Sequence, residues 1–198
     1  LLLANSFLVA SLTTLLTIFF ALNTALYVTF SSSSLKKFIF VILLLTMISP
    51  PFVSSLSYIK LFGRRGLITH GLLGLNLNTY GWQGIVLMQT FSHTSLAALI
   101  IIGVLQGMDR SIIQAARDLK AGIWSILKDI VIPLARPGII VAALLTFVKS
   151  LADFGTPIII GGGFDVLATE AYLNVIAYFN FSRAAALNVL LLIPSLLV

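Results

Sequence analysis

Few side chains in this sequence could do chemistry, and most of those lie inside apolar runs. Lys149 and Asp153 are spaced i, i+4, so a helix would set them one turn apart on the same face. His93 stands beside Ser92, Thr94 and Ser95 in a second apolar run. Ionisable groups at membrane depth are expensive and tend to mark a functional path. His93 supports two readings, a surface lining a path or helix–helix hydrogen bonding among small polar residues. Lys149 and Asp153 also fit two positions, within the bilayer or at its far interface with the charges snorkelling to water. A lone His with no second ligand nearby in sequence is not a metal site, and His70 belongs to a glycine-rich continuation, Gly66–Tyr80. Cysteine is absent, which removes thiolate catalysis, disulfides and cysteine metal sites. No Gly-x-x-x-x-Gly-Lys-Ser/Thr phosphate loop occurs, and no carboxylates are paired for acid–base work. The residues therefore point away from an enzyme and call for no cofactor.

The elements that must position these groups follow from composition. Hydrophobic residues make up 59% of the chain and charged residues 9%, with a mean hydropathy of +1.11. Soluble domains carry about 25% charged residues, so the chain is an integral membrane protein. Its net charge of +6 is spread over loops. Retention of basic loops on the cytoplasmic side explains it without nucleic acid. About 20 apolar residues cross a bilayer. On that measure a first span fits within Leu3–Val28 and a second is Phe38–Ile59, where Ser49-Pro50-Pro51 fits either a kink within the helix or a helix end near Met47 with a short re-entrant tail. A third lies within Gly81–Gln106, anchored by Trp82, and a fourth starts at Pro137 and ends at Gly155 and Pro157. Phe164–Phe181 reads as an amphipathic segment on the outer surface, and Ala184–Val198 begins a fifth span. Leu1 sits within an apolar run and Leu187–Val198 is still apolar, so the expectation is a fragment lacking a first span.

One block, Asp109–Gly138, concentrates charge: Arg110, Arg117, Lys120, Lys128 and Arg136 against Asp109, Asp118 and Asp129. It must lie in water between spans. Ser111 with Gln114 fits a capping box, and Ile112, Ala116 and Leu119 share one helical face. Lys120-Ala121-Gly122 reads as a turn, with Gly122 the permissive residue. Ile123, Ile126, Leu127 and Ile130 form a second face, which Pro133 would end before Pro137 opens the next helix. The pattern fits a connecting loop on the membrane surface or a helix–turn–helix offered to a soluble partner. Lys36, Lys37 and the basic residues of this block fall on one side, the cytoplasmic one by their excess. Lys60, Arg64, Arg65 and Arg183 fall on the other, with Lys149 close to it. Ser33 and Ser125 are thus expected inside, Asn76 and Asp165 outside.

The run QAARDLKAGIWSILKDIVIPLARPGI resembles the "EAA" cytoplasmic loop of binding-protein-dependent ABC transporter permeases. Ala115, Ala116, Arg117, Asp118, Leu119, Ala121, Trp124, Pro133, Arg136, Pro137 and Gly138 fall in register with that pattern. Gln114 stands where the family has Glu, and Lys120 where it has Gly. The Lys120 departure implies either a helical turn residue or a bend shifted to Gly122. Ser150–Pro157, followed by Gly161–Gly163 and Asp165–Glu170, resembles the iron(III)-type branch, in the form of the first half of a fused permease. The resemblance implies an all-α polytopic bundle of the type I ABC importer permease fold, with about five spans in one domain over 1–198. It also implies that Gln114, Ala115, Ala116, Arg117, Asp118, Leu119, Lys120 and Ala121 couple to a cytoplasmic ATPase. An external binding protein would deliver substrate, ferric iron or alternatively thiamine or another small cation. A second permease half, fused or separate, and a bacterial inner-membrane location are implied too. His93, Lys149 and Asp153 are the candidate translocation path. The rival readings are an ion channel or secondary carrier, which would need broken helices or mid-membrane charges of its own, and a structural membrane subunit.

Overall fold

The computed structural model describes residues 1–48, 51–63, 65–72, 74 and 79–197. Among them every regular element is helical: α1 (Leu2–Phe30), α2 (Leu35–Ile48), α3 (Pro51–Phe62), a π-helix (Leu67–Leu72), α4 (Trp82–Gln106) and α5 (Arg110–Asp118). The helices α6 (Ile123–Ile126) and α7 (Ile132–Ala152) follow, joined by a π-helical segment (Leu127–Val131), and then α8 (Gly155–Ile160), α9 (Leu167–Ile176) and α10 (Phe181–Leu197). Three runs are long and apolar enough to cross a bilayer, Leu2–Phe30, Trp82–Gln106 and Ile123–Ala152. The expected second span is a bent pair, Leu35–Ile48 and Val53–Leu72, turned by 116°. With it the described residues hold up to four spans, and α10 is a shorter apolar helix. The expected kink residues Ser49 and Pro50, like Arg64 and Asn76, lie outside the described residues. His70 belongs to the π-helix, exposed, and not to an irregular loop.

In lipid the side chains facing outward can be as apolar as those facing inward, so burial sorts by size. On α1 the buried face is Ser6, Val9, Ala10, Thr13, Thr17, Ala21, Ala25 and Val28, mostly small, while Phe7, Leu8, Leu15, Leu16, Phe19 and Phe20 point outward. On α7 the buried residues include Ala135, Gly138, Ala142, Thr146 and Ser150. Small residues let helix backbones approach where no hydrophobic effect pulls them together. Both faces close on α4, the most enclosed of the long helices. The main core joins Ala21, Ala25 and Val28 of α1 to Leu43 of α2. It continues through Ala97, Ala98, Ile101, Ile102 and Leu105 of α4 to Ile126, Val131, Ala135 and Ala142.

The start of α4 is fixed by Gly81. Its φ of 98° lies in the left-handed region, and its N–H donates to the Ile160 carbonyl at 3.0 Å. α9 does not lie on a surface as an isolated amphipathic segment. Leu167, Ala168, Thr169, Ala171 and Asn174 are buried, and Leu167 and Ala171 share a small core with Leu187 of α10. A salt bridge from Arg183 to Glu170, 3.0 Å, ties α10 to α9.

At Gly138 a Cβ would stand 2.6 Å from Val104 Cγ2 and 3.0 Å from Val104 Cβ. Valine has little rotamer freedom in a helix and cannot swing aside. Gly138→Val is expected to force α7 off α4 and to destabilise the fold by about 1–3 kcal/mol. Thermal unfolding in detergent, compared with Ile140→Val on the outward face, measures this.

Candidate functional site

The water-facing block folds as a helix, a tight turn and a second helix, with details that differ from the pattern read in sequence. Asp109, not Ser111, is the N-cap of α5: its Oδ1 accepts the Ser111 N–H at 2.9 Å. That bond holds the Asp109 carboxyl below the usual carboxylate range. The cap is therefore complete at neutral pH and is lost only as pH falls through the lowered pKa. The left-handed residue of the turn is Lys120, φ 59°, whereas Gly122 is extended at φ −68°, ψ 155°. The Ala121 N–H donates to the Ala116 carbonyl at 3.0 Å and the Lys120 N–H to the Arg117 carbonyl at 2.8 Å. This pair of bonds closes a Schellman motif, whose left-handed position favours glycine. Lys120, at the position where the family loop has Gly, thus adopts a conformation that favours glycine. Pro133 does not end the second helix either. The run from Ile123 to Ala152 is continuous, and in the π segment the Ile132 N–H donates to Leu127, five residues back. The wider turn accommodates the missing Pro133 donor and its ring.

The two faces of α5 are also redistributed. Ile113 and Ala116, with Ala121, Met108 and Leu127, pack against the main core, and Ile126 is within it. Ile112, Leu119, Ile123 and Trp124 face out, with exposures of 44%, 84%, 69% and 82%. Gln114, Ala115, Arg117, Asp118 and Lys120 are exposed beside them. So the expected grouping of Ile112, Ala116 and Leu119 on one face is wrong by one position for Ala116. The helix is seated through Ile113 and Ala116 and presents the others. A cluster of four large apolar side chains on a charged, water-facing segment has no partner within the described chain.

The second set of residues gathers where α1, α4 and α7 meet. Gln89, buried on α4, accepts from Thr13 Oγ1 of α1 at 3.2 Å and from Ser150 Oγ of α7 at 2.5 Å. Its Nε2 donates to Asp153 Oδ2 at 2.9 Å. The other Asp153 oxygen accepts the Thr156 N–H at 3.1 Å, at the start of α8. Every polar atom of the Gln89 amide and of the Asp153 carboxylate is thereby engaged, as low-dielectric surroundings demand. Gln89 lies seven residues into α4, roughly 10 Å along its axis. Asp153 itself is half-buried and stands at the C-terminal end of α7. Lys149, one turn earlier, is exposed and makes no ion pair with Asp153 among the described residues. His93 lies one turn along α4 from Gln89. Its Nε2 is buried without a hydrogen-bond partner. Of the three residues read from sequence as a path, Asp153 bonds to Gln89, His93 lies one turn further along α4, and Lys149 is exposed. Ser95, by contrast, bonds Thr46 of α2 at 2.6 Å, as helix–helix glue. Gln89 was not read as a site residue in sequence; the signal was present, a lone amide inside an apolar span. Among the described residues no three His, Asp or Glu side chains gather closely enough to hold a metal ion.

Three findings from known proteins now apply. The chain belongs to the family of binding-protein-dependent transport system inner membrane components, which matches residues 13–198. Among curated relatives, it is 34% identical over 161 residues to the ferric transport system permease protein FbpB of Actinobacillus pleuropneumoniae, covering 78% of this chain and 23% of that one. It is 37% identical over 120 residues to the molybdenum transport system permease protein ModB of Escherichia coli K12, covering 59% of this chain and 52% of that one. This chain therefore spans about a quarter of the ferric relative and half of the molybdenum one. In fold it is similar to a chain of a bacterial alginate ABC transporter crystallised with an alginate pentasaccharide-bound periplasmic protein. The TM-score there is 0.82 at 16% identity, covering 99% of this chain and 75% of that one.

Lys120 stores strain that glycine would release. A non-glycine residue in the left-handed region costs about 1–2 kcal/mol, part of which glycine returns as chain entropy. Lys120→Gly is expected to stabilise the loop by up to about 1 kcal/mol. Amide protection factors at Leu119–Ala121 should rise, with no change at Ile101.

Proposed function

We propose that this chain is a permease half of an ABC importer in a bacterial inner membrane. A cytoplasmic ATPase docks on Asp109–Gly138, and an external binding protein delivers substrate at the opposite end. The observation that carries this is the outward apolar cluster Ile112, Leu119, Ile123 and Trp124 on a segment in register with the family loop. Gln114, Ala115, Arg117, Asp118 and Lys120 frame it and take the coupling contacts, while Ala116, Leu127 and Ile126 hold it to the bundle. Because α6 runs without a break into α7, and α5 is braced on the same core, force on the cluster moves the span as one body. The proposed path passes His93, Lys149 and Asp153, close to the Gln89 hub. A second permease half, fused or separate, completes it.

Ala115 distinguishes docking from seating. Ala115→Arg places bulk and charge in the outward surface, and co-purification of the ATPase should fall by at least tenfold with the fold intact. Ala116→Arg acts on the inner face, so it should lower thermal stability as well. Loss of stability without loss of ATPase in Ala115→Arg would contradict the assignment.

For the substrate, ferric iron delivered by a binding protein is the reading supported by the ferric relative, which is matched over 78% of this chain. The molybdenum relative matches a shorter stretch at slightly higher identity and favours an oxyanion as the second reading. A deletion strain should lose uptake of radiolabelled ferric iron and keep uptake of radiolabelled molybdate. The reverse pattern would transfer the assignment to molybdate.

A further inference from the structure

At the end of the bundle that carries α5, a cavity of about 220 Å³ opens between four helices. Its lining comes from Val28 and Thr29 of α1, Lys36, Lys37 and Phe40 of α2, Gln106 of α4 and Arg110 of α5. Lys36, Lys37 and Arg110 bring positive charge to one point with no carboxylate to answer it. Among the described residues the Arg183–Glu170 pair is the sole salt bridge. Lys36 Nζ donates to the Ser31 carbonyl at 2.9 Å, which leaves ammonium donors over. Asp109, next in sequence to Arg110, spends its Oδ1 on the Ser111 N–H. In the wall, Thr29 Oγ1 is shielded from solvent and has no hydrogen-bond partner.

We propose that this cavity holds the phosphate of an anionic phospholipid from the leaflet on the coupling-loop side. Cations and an unpaired hydroxyl suit phosphate oxygens, and basic residues at this level of a membrane meet anionic headgroups. The apolar surroundings favour a lipid over a free anion. Phe40 and Val28 are part of the wall, and Phe30, Leu35 and Phe38 are exposed close by in sequence on the same helix ends, where acyl chains would run. Arg110 is the first residue of α5, so a lipid bound there ties the start of the coupling helix to the membrane surface. The site rests on the permease reading only for which leaflet it faces.

The test uses the purified chain in neutral detergent, without ATPase or transport, so its outcome is separate from the uptake experiments. Thermal unfolding is followed with phosphatidylglycerol, with phosphatidylcholine and with inorganic phosphate, and lipid retention is counted by native mass spectrometry. Phosphatidylglycerol should raise the midpoint and be retained, and the other two should not. Lys37→Gln, on an exposed side chain, should weaken retention about fivefold, and Lys37→Arg should restore it. The triple change Lys36→Gln, Lys37→Gln and Arg110→Gln should abolish both effects; if it does not fold, the Lys37 pair decides. An equal shift with phosphatidylcholine means no headgroup is recognised and overturns the proposal. An equal shift with inorganic phosphate identifies a free-anion site and overturns it too. Retention unchanged by all of these substitutions would show that the basic cluster does not hold the lipid, and overturns the proposal as well.

Discussion

Everything in this structure depends on the close approach of α1 and α7 to α4. Between apolar helices in lipid no hydrophobic force selects a neighbour, so contact must come from fit and from polar bonds. Fit is supplied by Ala10, Ala21 and Ala25 on one side and Ala135, Gly138 and Ala142 on the other. The polar bond is the Gln89 amide, which reaches Thr13, Ser150 and Asp153 at once. With those three helices locked, both ends of the molecule have a fixed base. At one end α8 starts from the Asp153 carboxylate, and at the other Ile113 and Ala116 of α5 pack against the main core.

That base explains why the water-facing loop is built as it is. A loop meant only to connect α4 with α7 would need few residues and no ordered turn. Here the turn closes with two backbone bonds at the cost of a left-handed Lys120, and the second helix continues past Pro133 by widening to a π turn. The second feature makes one continuous helical run from Trp124, at the surface, to Ala142, in the bundle. The apolar residues divide accordingly: Ile113 and Ala116 inward, Ile112, Leu119, Ile123 and Trp124 outward.

Much of this was legible in the sequence. Composition set the class, and the long apolar runs located α1, α4 and most of α7. The loop's helix–turn–helix pattern and its family register were readable as well. What failed were the details that depend on three-dimensional context. The face of α5 was assigned from Ile112, Ala116 and Leu119 because periodicity cannot say which side meets a core. Gly122 reads in sequence as the permissive residue of the turn, but the left-handed conformation falls two residues earlier, at Lys120. Pro133 was read as a stop because a local rule cannot foresee a π turn. At the second site, the i, i+4 spacing put Lys149 and Asp153 on one face. It could not show that Asp153 turns to Gln89 and α8 while Lys149 makes no ion pair among the described residues.

The central claim is that the loop is seated by one face and offers the other. Because the chain lacks cysteine, single cysteines placed at each position from Ile112 to Ile126 report this directly through their rates of modification by a water-soluble thiol reagent, with and without the ATPase. The account predicts fast modification at 112, 115, 119, 123 and 124 that the ATPase suppresses, and slow modification at 113, 116 and 126 in both states. Uniform rates along the segment, or protection by the ATPase at 113 and 116 but not at 119 and 124, would contradict it.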